Sequence, residues 1–235
     1  MNVPTRRRPA ILPTIATIAA VSVFVTAGLW QRDRMEQKLA LRAQLDAAAA
    51  RPLAPLPATG NWESLRFAPV TVTGTFDAAH QVFLDNRVHD GRAGFHVFTP
   101  LGLADGRTVL VNRGWVPGGA THAEVPKVAV PEGEVTVRGR VNAPPSALIE
   151  LRHDAQSGPV WQNLDLGRYA AATGLSVLPI VIEQTAPLAA SDSLVRDWPE
   201  PDLGVERHQS YMIQWFTFAV MAAGLWLYFT FIRKR

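Results

Sequence analysis

The sequence predicts an α+β membrane protein in which two transmembrane helices flank a mainly antiparallel β outer domain, either a sheet or a small barrel, with short helices. Uncharged apolar runs of 21 and 22 residues occupy residues 10–30 and 211–232. About 20 apolar residues cross a hydrocarbon core of ~30 Å as a helix, so both runs are long enough. Between them, β-branched and aromatic residues alternate with polar ones, and Gly, Pro and Asp separate the alternating runs. This pattern is typical of strands joined by tight turns.

The charge distribution predicts the topology. Residues 6–8 and 233–235 are all Arg or Lys, and every Asp and Glu lies between these two basic tails. The intervening segment therefore carries 17 of the 23 Lys/Arg against all 20 Asp/Glu, a net charge of −3 in a chain of net charge +3. The positive-inside rule makes both tails cytoplasmic. We expect a bacterial plasma (inner) membrane protein with a periplasmic central domain, and the basic character gives no reason to expect nucleic-acid binding.

The predicted domain organisation follows from these runs. We expect a basic tail at 1–9, a transmembrane helix at 10–30, a β-rich domain at 31–207, a second helix with its outer boundary at 208–232, and a basic tail at 233–235. A cleaved signal peptide is the alternative for the first run, but the run exceeds the ~7–15 residues of a signal-peptide apolar region, which favours a retained anchor. The chain has no cysteine, which excludes disulfides and thiolate chemistry.

Local patterns predict the elements of the outer domain. The first helix continues over residues 33–50, and the proline-rich residues 51–57 favour an extended connector. Period-two alternation predicts strands at 70–76, 81–85, 95–101, 108–112, 134–141, 160–164 and 180–184, with a hairpin turn at 104–107. A short helix is expected over 165–173, capped by Asp165 and ended by Gly174. Three prolines within residues 186–205 indicate an extended return to the second helix.

No catalytic signature stands out in the sequence. It contains no nucleophile elbow, phosphate loop, dinucleotide fingerprint or His-Glu-x-x-His motif. The outer-domain histidines are not spaced as metal ligands, and each is expected to be a surface or core residue: His80, His89, His96, His122 and His153. Asp85 and Asp90 form a candidate carboxylate pair, although acids in turns usually serve the turn itself.

His208 stands where the second apolar helix meets the outer water, and an ionisable residue there is a functional hypothesis. Helical spacing places Tyr211, Met212 and Trp215 on the same face as His208. One imidazole beside an aromatic, polarizable wall suits a planar macrocycle whose metal takes the imidazole as an axial ligand. Trp30 and Gln31, at the end of the first span, lie at the same level. Interfacial anchoring of the helix by these residues remains the alternative.

Four motifs resemble the surfeit locus protein 1 family, which assists assembly of cytochrome c oxidase. They cover nearly the whole chain in order: Trp30-Gln31 with Arg34, residues 94–101 (GFHVFTPL), residues 109–117 (VLVNRGWVP) and residues 208–216 (HQSYMIQWF). The resemblance implies a non-enzymatic biogenesis factor that binds haem a, with His208 as the iron ligand, and that assists insertion of haem a into the large oxidase subunit. Glu206 and Arg207 depart from the residues expected before the histidine.

The resemblance also implies partners and further contact residues. The large subunit of cytochrome c oxidase and the lipid bilayer are expected partners, and haem a synthase is a further candidate. Tyr211, Met212, Trp215 and Trp30 would flank the macrocycle. Arg113 would meet a haem propionate or a partner's carboxylate, with pairing inside the domain as the alternative, and Trp115 belongs to the same motif. The competing functions are a cofactor-free scaffold for oxidase assembly intermediates and a periplasmic enzyme.

Overall fold

The computed structural model describes residues 11–119, 124–144, 156–198 and 203–233. The chain divides into two compact units. A helical unit contains Met1–Gln44 and Pro201–Arg235, and a β unit contains Leu45–Glu200. The candidate membrane-spanning helices therefore flank the β unit along the sequence, as predicted.

The described residues form three α-helices: α1 (Ile11–Ala49), α2 (Leu166–Thr173) and α3 (Val205–Leu227), the last followed by a π-helical turn at Tyr228–Ile232. The first helix and the last, with its π-helical turn, are long and apolar enough to cross a membrane. Their most apolar windows have mean hydropathies of 1.9 and 1.7. The predicted continuation of the first helix beyond the apolar run is confirmed, because α1 ends only at Ala49.

The β unit contains nine strands in its described residues: β1 (Ala54–Pro55), β2 (Pro69–Phe76), β3 (Val82–His89), β4 (Arg92–Leu103), β5 (Thr108–Pro117), β6 (Glu134–Asn142), β7 (Gln156–Ser157), β8 (Val160–Trp161) and β9 (Val177–Gln184). Their order in the sheet is β1-β2-β6-β9-β5-β4-β3-β8-β7. All neighbours are antiparallel except three pairs, β1–β2, β3–β8 and β5–β9.

Five of these strands close into a barrel. β2 pairs with β6 over seven residues, and its far end also pairs with β4, where Gly74 lies opposite Leu103 and Phe76 opposite Leu101. The circuit β2-β6-β9-β5-β4 therefore returns to β2. Of the two architectures that the sequence allowed, the barrel is the one that forms, and closure pairs both edges of the five-stranded sheet.

The barrel is filled by small branched side chains and covered on one side by a second core. On β5, Val109 and Val111 belong to the cluster inside the barrel, whereas Leu110 belongs to a second cluster with α2. On β9, Ile182 and Val181 divide between the same two clusters. β5 and β9 are thus buried on both faces, which is the usual environment of parallel neighbours.

Local signals in the sequence are confirmed at α2. The carboxylate of Asp165 accepts a hydrogen bond from the backbone N–H of Arg168 at 2.7 Å, and Gly174 ends the helix in the left-handed conformation. The helix buries Tyr169, whose hydroxyl donates to the carbonyl of His80 at 2.8 Å. Burial raises the pKa of this phenol above its usual value.

Several predicted strand boundaries are wrong. The strand predicted at 160–164 ends at Trp161, because the chain bends there toward the cap of α2. β3 is longer than predicted, since a bulge between Leu84 and Arg87 lets its pairing with β4 continue to His89. Part of the connector at 51–57 is a short strand, because Ala54 and Pro55 pair with β2.

Candidate functional site

The two candidate membrane helices meet through a histidine and a glutamine. Gln31 is a buried polar residue of α1, and His208 lies in the first turn of α3. The imidazole Nδ1 of His208 is 2.7 Å from the amide oxygen of Gln31. A histidine at the boundary of an apolar helix thus has a polar partner, as the cost of isolating such a group requires.

This contact selects one form of the imidazole. The amide oxygen of Gln31 can only accept a hydrogen bond, so this contact is a hydrogen bond when Nδ1 of His208 carries the proton. A neutral imidazole protonated at Nδ1 has its lone pair on Nε2. Metal-bound histidines are commonly oriented in this way, by a hydrogen bond from the ring nitrogen that does not bind the metal.

The aromatic residues predicted beside His208 have different environments. Trp215 stacks on Phe24 of α1, with ring centroids 5.8 Å apart and an interplanar angle of 28°. Tyr211 is 48% exposed, and Met212 is half-buried. Trp215 therefore packs between the helices, while Tyr211 presents an accessible aromatic surface one turn after His208.

Trp30 lies beside a groove on α1. Its side chain is 52% exposed, and the guanidinium of Arg34 lies 5.7 Å from the ring centroid. The groove is shallow and open, and it is lined by Trp30 together with Ser22, Val23, Thr26 and Ala27. Ala27 lies one helical turn before Gln31, so this mainly apolar surface adjoins the His208–Gln31 pair.

The two helices approach each other closely one turn before Gln31. A methyl group added at Gly28 would lie 2.9 Å from the ring of Phe216. Real side chains do not tolerate such a distance, so the absence of a side chain at residue 28 permits the contact. The contact lies on the same pair of helices as the hydrogen bond of His208 and helps to set their separation.

The motif at residues 112–115 belongs to the β unit and is buried there. Arg113 donates to the side-chain oxygen of Gln81 at 3.0 Å and to the carbonyl of Ala129 at 2.8 Å. The indole N–H of Trp115 donates to the carbonyl of Arg87 at 2.8 Å. Of the alternatives considered for Arg113, hydrogen bonding inside the domain is thus present in the structure.

Gly114 allows this motif to pack against a later segment. Its φ is 143°, and a methyl group there would lie 2.7 Å from the carbonyl oxygen of Val195. Trp115 and Val195 exchange two backbone hydrogen bonds of 2.7 and 2.9 Å. The segment between β9 and α3 is therefore hydrogen-bonded to β5 at the motif of residues 112–115.

His80 and His96 of the outer domain both contact neighbouring side chains of the β unit. His96 packs edge-on against Trp198, and burial lowers its pKa to about 4, helped by the charges of Arg87 and His89. His80 binds the carboxylate of Asp77 at 2.5 Å, a contact that lowers the pKa of this acid.

No group of three or more His, Asp or Glu in the described ranges could hold a metal ion. Asp90 is exposed beside His89, whereas Asp85 is buried. His122 and His153 lie outside the described residues.

Two glutamines are structural partners that sequence reasoning did not select as site residues. The sequence places Gln31 at the level of His208, and its position immediately after Trp30 is the feature that could have identified it as a partner. Gln81 receives hydrogen bonds from both Arg113 and Thr99. Nothing in the local sequence indicates these contacts, because the partners are brought together by the sheet.

Comparison with known proteins gives a consistent result. A model described as the SURF1 family matches residues 18–220. A SURF1-like protein from Monosiga brevicollis is 29% identical, over 94% of this chain and 87% of the relative. Surfeit locus protein 1 is 28% identical in Homo sapiens and 27% identical in Mus musculus. These alignments cover 85% and 88% of this chain, and 71% and 72% of the two relatives.

Proposed function

Because the chain belongs to the SURF1 family, we propose that it is a cytochrome c oxidase biogenesis factor that binds haem a and assists its insertion into the large oxidase subunit. The observation that carries the proposal is the 2.7 Å contact between Nδ1 of His208 and the amide oxygen of Gln31. It gives the chain an oriented imidazole at the end of a candidate membrane helix, with Nε2 as the nitrogen available to a metal.

The donor set fits haem a. When bound, haem a would supply an iron centre that takes an imidazole nitrogen, held in a large planar apolar ring. His208 would provide the nitrogen, and its contact with Gln31 would orient the imidazole. Tyr211 and Trp30 provide exposed aromatic surface for the ring, and the groove on α1 adjoins Trp30. Trp215 supports α3 through its stack on Phe24.

The same arrangement suits temporary rather than permanent binding. The groove at Trp30 is a surface feature, and both Trp30 and Tyr211 are about half exposed. Exposed aromatic residues hold an apolar ligand less firmly than a closed pocket does, since less apolar surface is removed from water. In this proposal the protein acts as a carrier, located in a bacterial inner membrane with its β domain in the periplasm.

The proposal is tested by the absorption spectrum of the full chain, purified in detergent after co-expression with the enzymes that make haem a. We expect a reduced haem a band in the wild type and none in His208→Ala. Gln31→Leu should weaken haem a binding by about tenfold or more, because removal of an outer-shell partner typically costs about 10–100-fold in metal affinity.

Gln209→Leu is the matched control for Gln31→Leu, because it makes the same substitution at an exposed glutamine that directly follows His208 in α3. It should bind haem a like the wild type. Equal haem a content in His208→Ala and the wild type, with both folded, would contradict the assignment of His208. A wild type without haem a that still supports oxidase assembly would instead favour the cofactor-free scaffold.

A further inference from the structure

Two buried arginines of the β unit, Arg113 and Arg196, lie near one buried carboxylate, Asp192, and only Arg196 is bonded to it. The side chains of Arg196 and Asp192 are only 8% and 9% exposed, and one Nη of Arg196 donates a short hydrogen bond to Asp192. Arg113 is 3% exposed. Burial lowers the pKa of the Arg113 guanidinium, an effect that the charge of Asp192 opposes and that of Arg196 reinforces. The group of three therefore carries one positive charge in excess.

Arg113 has only neutral hydrogen-bond acceptors within the described part of the chain. Its two Nη atoms bind the amide oxygen of Gln81 and the carbonyl of Ala129. Its Nε is buried and has no hydrogen-bond partner there. A buried guanidinium normally has an anionic partner or a full set of acceptors, because removing a charge from water is costly. Arg113 therefore keeps one buried donor, Nε, that no acceptor among the described residues satisfies.

A cleft borders this group. It has a volume of about 380 Å³ and lies between residues 127–131 and residues 188–194, with Arg113 in its lining. Lys127 adds a second cation to the lining, and Val130, Leu188 and Leu194 contribute apolar surface. We call this site the Arg113 cleft. Its volume is within the range of about 300–1,000 Å³ that is usual for ligand sites.

We propose that the Arg113 cleft binds a segment of a partner protein that carries a carboxylate among apolar side chains. The lining requires both properties in one ligand. Arg113 and Lys127 outnumber Asp192, whose charge is already engaged by Arg196, so an anion is favoured. The apolar lining favours aliphatic neighbours on the same ligand, because burial of apolar surface provides most of the affinity in such clefts.

A polypeptide fits these requirements better than a small anion does. An isolated carboxylate would satisfy the cations and leave the apolar lining in contact with water. An extended peptide in which aspartate or glutamate is flanked by valine or leucine can contact both the cationic and the apolar parts of the lining. The inference is independent of haem a binding, which depends on His208 in the helical unit, so either proposal can fail without the other.

The test begins with a selection of random displayed peptides on the full chain in detergent micelles. We expect the enriched peptides to contain Asp or Glu beside apolar residues. Ala189→Trp is the blocking variant, because Ala189 is an exposed residue of the cleft lining and a large ring there would fill the cleft. The same enrichment should be lost on this variant.

The most enriched peptide is then titrated by fluorescence anisotropy, with its amide version (Asp→Asn or Glu→Gln) as the comparison. We expect the amide version to bind about tenfold more weakly, and the acidic peptide to lose a similar factor on Lys127→Glu. Arg92→Glu is the control, because it makes the same charge change at an exposed residue at the start of β4. It should bind the acidic peptide within about twofold of the wild type.

Three results would overturn the proposal. These are enrichment that persists on Ala189→Trp, selected peptides without acidic residues, and equal affinity for the acidic and amide peptides. Thermal unfolding of each variant verifies that it is folded. Lys127→Glu keeps the test decisive if Ala189→Trp does not fold, because Lys127 is exposed.

Discussion

Replacing Gly114 by alanine should destabilise the β domain strongly, although it adds only one methyl group. At a φ of 143° an L-residue is strained, and such conformations cost about 1–3 kcal/mol each. The new methyl would also lie 2.7 Å from the carbonyl oxygen of Val195 and 2.8 Å from Cβ of Leu194. Forcing an extra carbon into a packed site costs about 1–3 kcal/mol. Together these effects predict a loss of about 4 kcal/mol.

The assay is thermal unfolding of the full chain in detergent, followed by near-ultraviolet circular dichroism. For a domain of this size, each 1 kcal/mol shifts the melting temperature by about 2–4 °C, so Gly114→Ala should melt about 12 °C lower than the wild type. Gly102→Ala on β4 is the matched control, because its nearest neighbour would be the carbonyl oxygen of Thr75 at an ordinary 3.7 Å.

The control should change the melting temperature by no more than about 3 °C, since it removes only the conformational freedom of a glycine in a strand. If Gly114→Ala melts within about 3 °C of Gly102→Ala, the reasoning is refuted. That result would mean that the backbone around Trp115 and Val195 moves apart without loss of the hydrogen bonds between them.

Three further predictions concern other contacts. The pKa of His96 is about 4 in the folded protein and about 6.5 in the unfolded chain, so the unfolded chain binds the proton more tightly. Between pH 7 and pH 4.5, the free energy of unfolding measured in urea should therefore fall by about 2–3 kcal/mol more for the wild type than for His96→Gln. Equal losses would contradict this. Trp115→Phe leaves the carbonyl of Arg87 without its indole donor and should cost about 1–3 kcal/mol in the same assay; no loss would show that the hydrogen bond is replaced. Gly28→Leu should force α1 away from Phe216 and reduce haem a binding by about tenfold or more, and an unchanged spectrum would separate helix packing from the site.

Elements encoded by nearby residues were predictable from the sequence. Asp165 and Gly174 mark the ends of α2 through local hydrogen bonding and backbone conformation, and both assignments are confirmed. The two apolar helices follow equally from composition. Barrel closure was not predictable, because it depends on β2 pairing with β4 beyond an intervening strand. Alternating residues allow such a pairing but do not specify it.

In the candidate site, too, the features encoded by nearby residues were predictable and the contacts between distant residues were not. His208 was identifiable because an ionisable residue at the start of an apolar helix is costly, and helical spacing identified its neighbours. The hydrogen bond between His208 and the amide oxygen of Gln31 could not be derived, because it depends on the rotation of α1 relative to α3. The role of Trp215 also required the structure, since its partner Phe24 is distant in sequence. The hydrogen bonds of Arg113 likewise depend on strand pairing.

The position of β9 between β5 and β6 determines when the β domain can finish folding. β9 is the last of the described strands along the chain, yet the barrel places it between β5 and β6, which both precede it. Until residues 177–184 are available, both β5 and β6 present an unpaired edge, and such edges promote aggregation. The second candidate membrane helix begins only at Val205. The domain therefore cannot form its barrel during early synthesis, and substitutions in β9 should reduce the yield of folded protein more than substitutions of equal cost in β2.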